Sequence, residues 1–170
     1  DYENLEQLRK GIRQDIEHRR KHELERSMQE QAIDQLLDRN RFEVPAVLVE
    51  DRVQHKLQSF AFDLASRGYD PSRSGLNWQK IRDDLRQPSE REVRAALVLN
   101  RIAEAEALAP SDDELDEELE RIAKSENQPV EKIALHYEKE NRMEELRDRL
   151  RTRKAMQVVL DNAKVEEVAS

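Results

Sequence analysis

From Tyr2 to Arg39 the chain runs for 38 residues without a proline and with one glycine, Gly11. Apolar residues recur along it at intervals of three and four: Leu5, Leu8, Ile12 and Ile16, then Leu24, Met28, Ala32 and Leu36. A strand cannot use that period, so the segment is expected to form one long helix. Between the two stripes lies "EHRRKHE", residues 17–23, polar on every side. A helix that is apolar at both ends and bare in the middle bridges two bodies or leaves one body as an arm. The same scarcity of punctuation holds throughout, with three glycines and five prolines among 170 residues rich in Glu, Arg, Leu, Ala and Gln. These are helix formers, and the expected class is all-α.

The next elements follow from local signals. Pro45 suits the first turn of a second helix over about 45–67, with Val49, Val53, Leu57, Phe60 and Leu64 on one face. A connection of about five residues predicts that the first two helices are antiparallel neighbours, with "RFEVPAVLVE", residues 41–50, as the tip of their hairpin. "SRGYDPSRSG", residues 66–75, reads as a loop and precedes a short helix carrying Trp78, Ile81 and Leu85. Ser89 with Glu92 three residues on has the pattern of a capping box. It would open a central helix in which Val93, Ala96, Leu97, Val98, Leu99 and Ile102 cover more than one face. Ser111 with Glu114 repeats the box before Leu115, Leu119, Ile122 and Ala123. Pro129 opens a helix with Val130, Ile133, Ala134 and Tyr137 inward, and a last helix over about 142–163 carries Leu146, Leu150, Val158 and Val159.

The length is that of one domain. With 36% apolar and 4% aromatic residues the surface-to-core ratio must be high, which favours an elongated helical body over a sphere. The absence of cysteine excludes disulfides and thiolate chemistry, and no run of 18 apolar residues offers a transmembrane helix. The first residues are Asp-Tyr-Glu with no initiator Met, which suggests a fragment or a processed product. The net charge of −8 is concentrated in residues 111–140, where eleven acidic residues face four basic ones. Phosphate binding needs a continuous basic surface, so this balance argues against a nucleic-acid footprint along the whole chain.

Chemistry-bearing motifs are sparse. His18 and His22 have the i, i+4 spacing that presents two imidazoles to one metal, but Arg19, Arg20 and Lys21 lie between them and no third ligand has a sensible spacing. A solvated helix face is the preferred reading, with no metal site. The basic runs "RRK", 19–21, and "RDRLRTRK", 147–154, lack stacking aromatics and read as faces salt-bridged to glutamate. Carboxylates abound without an apolar pocket to split a pair's pKa values. No Ser-His-Asp order, phosphate-cradling glycine loop or histidine cluster is present, so no enzyme, catalytic residue or cofactor is expected of this chain.

What remains is the apolar tip. Phe42, Val47 and Leu48 could act as a hydrophobic staple and pack inside the hairpin. The sharper reading is that a tip far from any body cannot bury seven apolar residues. Phe62, 14 residues after Leu48, returns to the same face, which otherwise carries Arg52, His55 and Ser59. Apolar surface rimmed by charge marks a binding site. The candidate site is therefore Phe42, Val44, Pro45, Val47, Leu48 and Phe62.

The pattern as a whole resembles the C-terminal domain of the bacterial trigger factor family, ribosome-associated chaperones. "LRKGIRQDIEHRRKHELERSMQEQAIDQLLDRNRFEVPAVLVE" resembles its linker helix and first arm, "REVRAALVLNRIAEAEAL" its central helix, and "SDDELDEELERIAKSENQPVEKIALHYEKENRMEELRDRL" its second arm. "KAMQVVLDNAKVEE" resembles its C-terminus, and "FEVPAVLVE" and "VLDNAKV" are the most specific pieces. The resemblance implies one chaperone domain divided into linker helix and first arm (1–67), loop, short helix and central helix (68–110), second arm (111–140) and C-terminal helix (141–170). It implies unfolded or nascent polypeptides as partners, a cytoplasmic location, a possible homodimer, and no membrane or direct nucleic-acid contact. Ribosome docking and prolyl isomerase activity belong to family domains whose marks, a "GFR" loop and an aromatic-lined pocket, this chain lacks. The alternatives are a nucleic-acid or ribosomal-RNA adaptor using the basic runs, and a self-associating helical protein whose tip seats in a second copy. A periplasmic SurA-type chaperone would share much of the helical plan.

Overall fold

The computed structural model describes residues 5–71, 75–164 and 166. Their secondary structure is six helices: α1 (Leu5–Arg39), α2 (Ala46–Ser66), α3 (Trp78–Ala105), α4 (Asp112–Glu126), α5 (Val130–Lys139) and α6 (Met143–Asp161). The all-α expectation holds, and among the described residues no helix is long and apolar enough to cross a membrane. The expected start of the first helix at residue 2, part of the 66–75 loop and the end of the chain lie outside the described residues.

Two small cores hold the helices. Leu115, Leu119, Ile122 and Ala123 of α4 meet Ile133 of α5 and Leu146 and Leu150 of α6, with Val130, Ala134, Tyr137 and Met143 packed around them. In the second core, Leu99 and Ala103 of α3 meet Ala155 and Met156 of α6, flanked by Ile33 and Leu36 of α1 and by Val159 and Leu160. One helix, α6, supplies both cores, with Leu150 in the first and Ala155, five residues on, in the second. The central position expected of the 89–108 segment is thus shared between α3 and α6. Within α3 the buried apolar positions are Ala95, Leu99 and Ala103, whereas Leu97 and Ile102 are half-buried.

The expected α1–α2 hairpin is not the pairing that forms. The apolar face of α2 lies along α3, and α1 packs on α3 and α6. Phe60, late in α2, meets Trp78 at the start of α3 with ring centroids 5.9 Å apart, while Arg52 and Lys56 pair with Glu92 at 3.3 and 2.5 Å. That order makes α2 and α3 the antiparallel pair. The physical reason is that the C-terminal apolar stripe of α1 is already covered, Ile33 and Leu36 by the second core, and Asp34 ties the helix to Arg91 of α3 at 2.5 Å. A short connection keeps two ends close, but apolar faces decide which helices lie side by side.

The second capping box, at Ser111, forms as expected: its Oγ accepts from the Glu114 amide at 3.2 Å, and Glu114 accepts from the Ser111 amide at 2.7 Å. The first, at Ser89, does not. α3 runs unbroken through Pro88, Ser89 is fully buried inside it, and Glu92 is engaged by α2 instead. The helix begins at Asn77, whose side chain accepts from the Lys80 amide at 3.0 Å. Proline removes one intrahelical hydrogen bond, that of its missing N–H, and packing of both halves of α3 on α2 outweighs the loss.

Candidate functional site

Residues 40–45 have no regular structure, and Pro45 ends them with φ −57° and ψ 123°, an extended backbone from which α2 starts. Its carbonyl accepts from the amides of Leu48 at 3.0 Å and Val49 at 3.4 Å, which closes the first turn. Val49 and Val53 then face α3 and are buried. The helical period turns their neighbours outward: Val47 is 66% exposed, Leu48 39% and, before the helix, Phe42 39%. Val44 is half-buried and Pro45 exposed. The staple reading of Phe42, Val47 and Leu48 is therefore not the arrangement seen, since Val49 is the residue that turns inward.

Leu48 sits at one wall of a shallow groove of about 340 Å³, with Asp51, Arg52 and His55 on the α2 side and Val93, Ala96 and Leu97 on the α3 side. Phe62 is 77% exposed and lies within about 40° of Leu48 around α2, but it is about 21 Å farther along the axis and outside the groove. The residues chosen from the sequence thus divide into one group at the start of α2 and a separate Phe62. Sequence reasoning missed the α3 wall. Val93 and Leu97 turn away from Leu99 and Ala103, but Ala96, seven residues before Ala103, lies beside that inner face, so the helical period alone does not separate the wall from the core.

Two further surfaces carry apolar groups. The α4–α5 turn, where Asn127 takes a left-handed φ of 52°, leaves a hollow of about 530 Å³ lined by Glu120, Ala123, Lys124, Gln128, Pro129 and Val130. The N-terminal half of α1 exposes Leu5, Ile12, Ile16 and Leu24 and buries nothing.

The basic run of α6 is spent on internal carboxylates. Glu118 of α4 is 3% exposed, and its two oxygens accept from Arg121 at 2.6 and 2.9 Å and from Arg153 at 2.9 and 3.1 Å. Arg149 stands 3.4 Å away. These bonds, Arg121 first and Arg153 next, hold the Glu118 pKa down at about 2 despite burial. Lys154 bonds both oxygens of Glu114, at 2.7 and 2.8 Å, and lowers its pKa in turn, helped by the Ser111 amide. Arg147 and Arg151 pair with Glu144 and Asp148 along their own helix. Cations so engaged do not offer a continuous phosphate-binding face. Among the described residues no group of three His, Cys, Asp or Glu side chains could hold a metal ion.

Residues 4–161 match the family model described as the C-terminus of bacterial trigger factor protein. This chain belongs to the trigger factor family. A trigger factor from Solibacter usitatus is 28% identical over 96% of the chain, and one from Anaeromyxobacter sp. is 33% identical over 96%. The chain spans 39% and 38% of those two relatives, so it matches the C-terminal domain of trigger factor and not the whole protein. A solved structure of domains of trigger factor from Thermotoga maritima has the same fold, with a TM-score of 0.62 at 22% identity over 96% of this chain and 98% of that one.

Proposed function

We propose that this domain holds unfolded or nascent polypeptides on several apolar patches and so keeps them from aggregating. The observation that carries the reading is the start of α2, where Phe42, Val47 and Leu48 stay exposed beside the groove made with Val93, Ala96 and Leu97. Val44 and Pro45 complete that patch, and Phe62 is a second contact point on the same helix. The exposed parts of Phe42, Val47 and Leu48 sum to roughly 200 to 250 Å², worth about 5 to 6 kcal/mol if fully covered. Association and ordering of a flexible client cost several kcal/mol, so one patch leaves little net affinity. Useful holding needs several patches engaging one chain, each raising the effective concentration for the next. The groove between α2 and α3, the α4–α5 hollow and the exposed stripe of α1 would supply those patches. Its setting is the cytoplasm, with ribosome docking and prolyl isomerase catalysis in other parts of the family protein.

The test is a fluorescence titration with unfolded peptides of increasing length, at low and at 0.5 M salt, for the wild type and for Phe42→Ser/Leu48→Ser. Affinity should rise steeply with length, persist in salt, and fall in the double variant while helicity and melting are unchanged. Length-independent affinity, or binding that collapses in salt, refutes the multivalent apolar mechanism.

A further inference from the structure

The middle of α1, polar on every side and exposed, with no buried residue among those described, brings two imidazoles together. Nε2 of His18 lies 3.2 Å from Nε2 of His22, with the rings edge-on at 72° and 4.3 Å between centroids. Two nitrogens bound to one zinc at 2.0 to 2.1 Å in tetrahedral geometry stand about 3.3 Å apart, and at right angles about 2.9 Å. The observed separation falls between the two. The other nitrogen of His22, Nδ1, is 3.5 Å from Glu25 Oε2. Placing the His22 proton on Nδ1, toward that carboxylate, turns the lone pair of Nε2 toward His18. At that distance Glu25 acts on the His22 ring as a nearby negative charge, which favours a bound cation, and not through a hydrogen bond. We propose that His18 and His22 form a two-imidazole site for a divalent transition metal of the Zn²⁺, Ni²⁺ or Cu²⁺ class, with Glu25 as a nearby negative charge and water completing the coordination.

The intervening cations do not prevent this, contrary to the expectation from sequence. At about 100° per residue, Arg20 is on the opposite side of the helix from the His18–His22 edge, while Arg19 and Lys21 flank it on either side. Lys21 is drawn to Glu25 at 3.9 Å. Asp15, Glu17, Glu23 and Glu25 lie within four residues of the three cations along the chain and offset their charge. With only two protein ligands, affinity should lie well below that of a four-ligand structural zinc site, with Kd on the order of 1 to 100 µM. The ranking should follow Cu²⁺ over Ni²⁺ and Zn²⁺, while Mg²⁺ and Ca²⁺, which prefer oxygen, should not bind. A bound metal would clamp one turn of a helix that no tertiary contact supports there.

Isothermal titration calorimetry of the full 170-residue chain with ZnCl₂, NiCl₂ and CuCl₂ in a non-coordinating buffer tests this directly. One site per chain is expected, weakened at least about tenfold by His18→Ala or His22→Ala, with His55 and His136 left in place as internal controls. Amide hydrogen exchange over residues 14–26 should slow on adding metal in the wild type only, by up to about 100-fold at 100 times Kd. No saturable binding up to 1 mM, or binding of equal strength in His18→Ala/His22→Ala, overturns the site. Helicity measured on each variant verifies that these exposed substitutions leave α1 folded.

Discussion

Replacing Glu118 by Gln should loosen α4 from α6, and the size of the effect follows from the surroundings of that carboxylate. Its oxygens are almost wholly buried and take four hydrogen bonds of 3.1 Å or less from Arg121 and Arg153. A Gln of the same shape presents an NH₂ donor where two guanidinium donors converge, and it removes the charge. Breaking a buried pair by deleting one partner costs about 3 to 5 kcal/mol. Here the guanidiniums are 51 to 62% exposed and can return to water, which reduces the figure. The pKa gives a second bound. A carboxyl lowered from 4.5 to about 2 contributes at most about 3.5 kcal/mol at neutral pH, from about 1.4 kcal/mol per unit. We expect a loss of about 2 to 3 kcal/mol at pH 7 by urea denaturation. Because the folded pKa is depressed, the stabilisation is complete above the unfolded value near 4.5 and fades as pH falls toward about 2. The gap between wild type and Glu118→Gln should therefore close over that interval. A loss below about 0.5 kcal/mol at pH 7, or a gap of undiminished size at pH 2, refutes the reasoning.

Leu99→Ala should cost about 2 to 4 kcal/mol in denaturant melting, because Leu99 is buried against Ala103, Ala155 and Met156, whereas Leu97→Ala on the groove wall should cost about 1 kcal/mol; equal losses would contradict the assignment of faces on α3. Pro88 is exposed inside α3, so Pro88→Ala restores a helical donor without losing packing and should raise stability by about 1 kcal/mol, while a loss would mean that the helix depends on the break. Ser111→Ala removes one half of the α4 capping box and should lower stability by about 1 kcal/mol, read as an earlier thermal midpoint with α5 and α6 spectroscopically unchanged.

The helices that could be read from sequence are those whose signals are local. α4 combines Ser111 and Glu114, three residues apart, with an apolar stripe of period 3.6, and every member of that stripe is buried. Nothing distant can contradict such a pattern. Ser89 and Glu92 have the same spacing and fail, because a capping box also requires the backbone to be non-helical at the cap, and the packing of α3 on α2 holds it helical through Pro88. The pairing of α2 failed for the same kind of reason: loop length constrains two ends, and the partner is set by which apolar stripe is still uncovered. The candidate site inherits both outcomes. Exposure of Phe42, Val47 and Leu48 was one of two readings open in the sequence, and the extended backbone at Pro45 with the helical period after it turns Val49 inward and leaves those three outside. The α3 wall was not, since Val93, Ala96 and Leu97 look like core until it is known that Leu99 and Ala103 take the inner face. A chain with 36% apolar residues and two small cores has apolar side chains left over, and no periodicity rule says which ones the cores will leave outside. For a surface that works by leftover apolarity rather than by a motif, the site becomes readable only after the cores have been assigned.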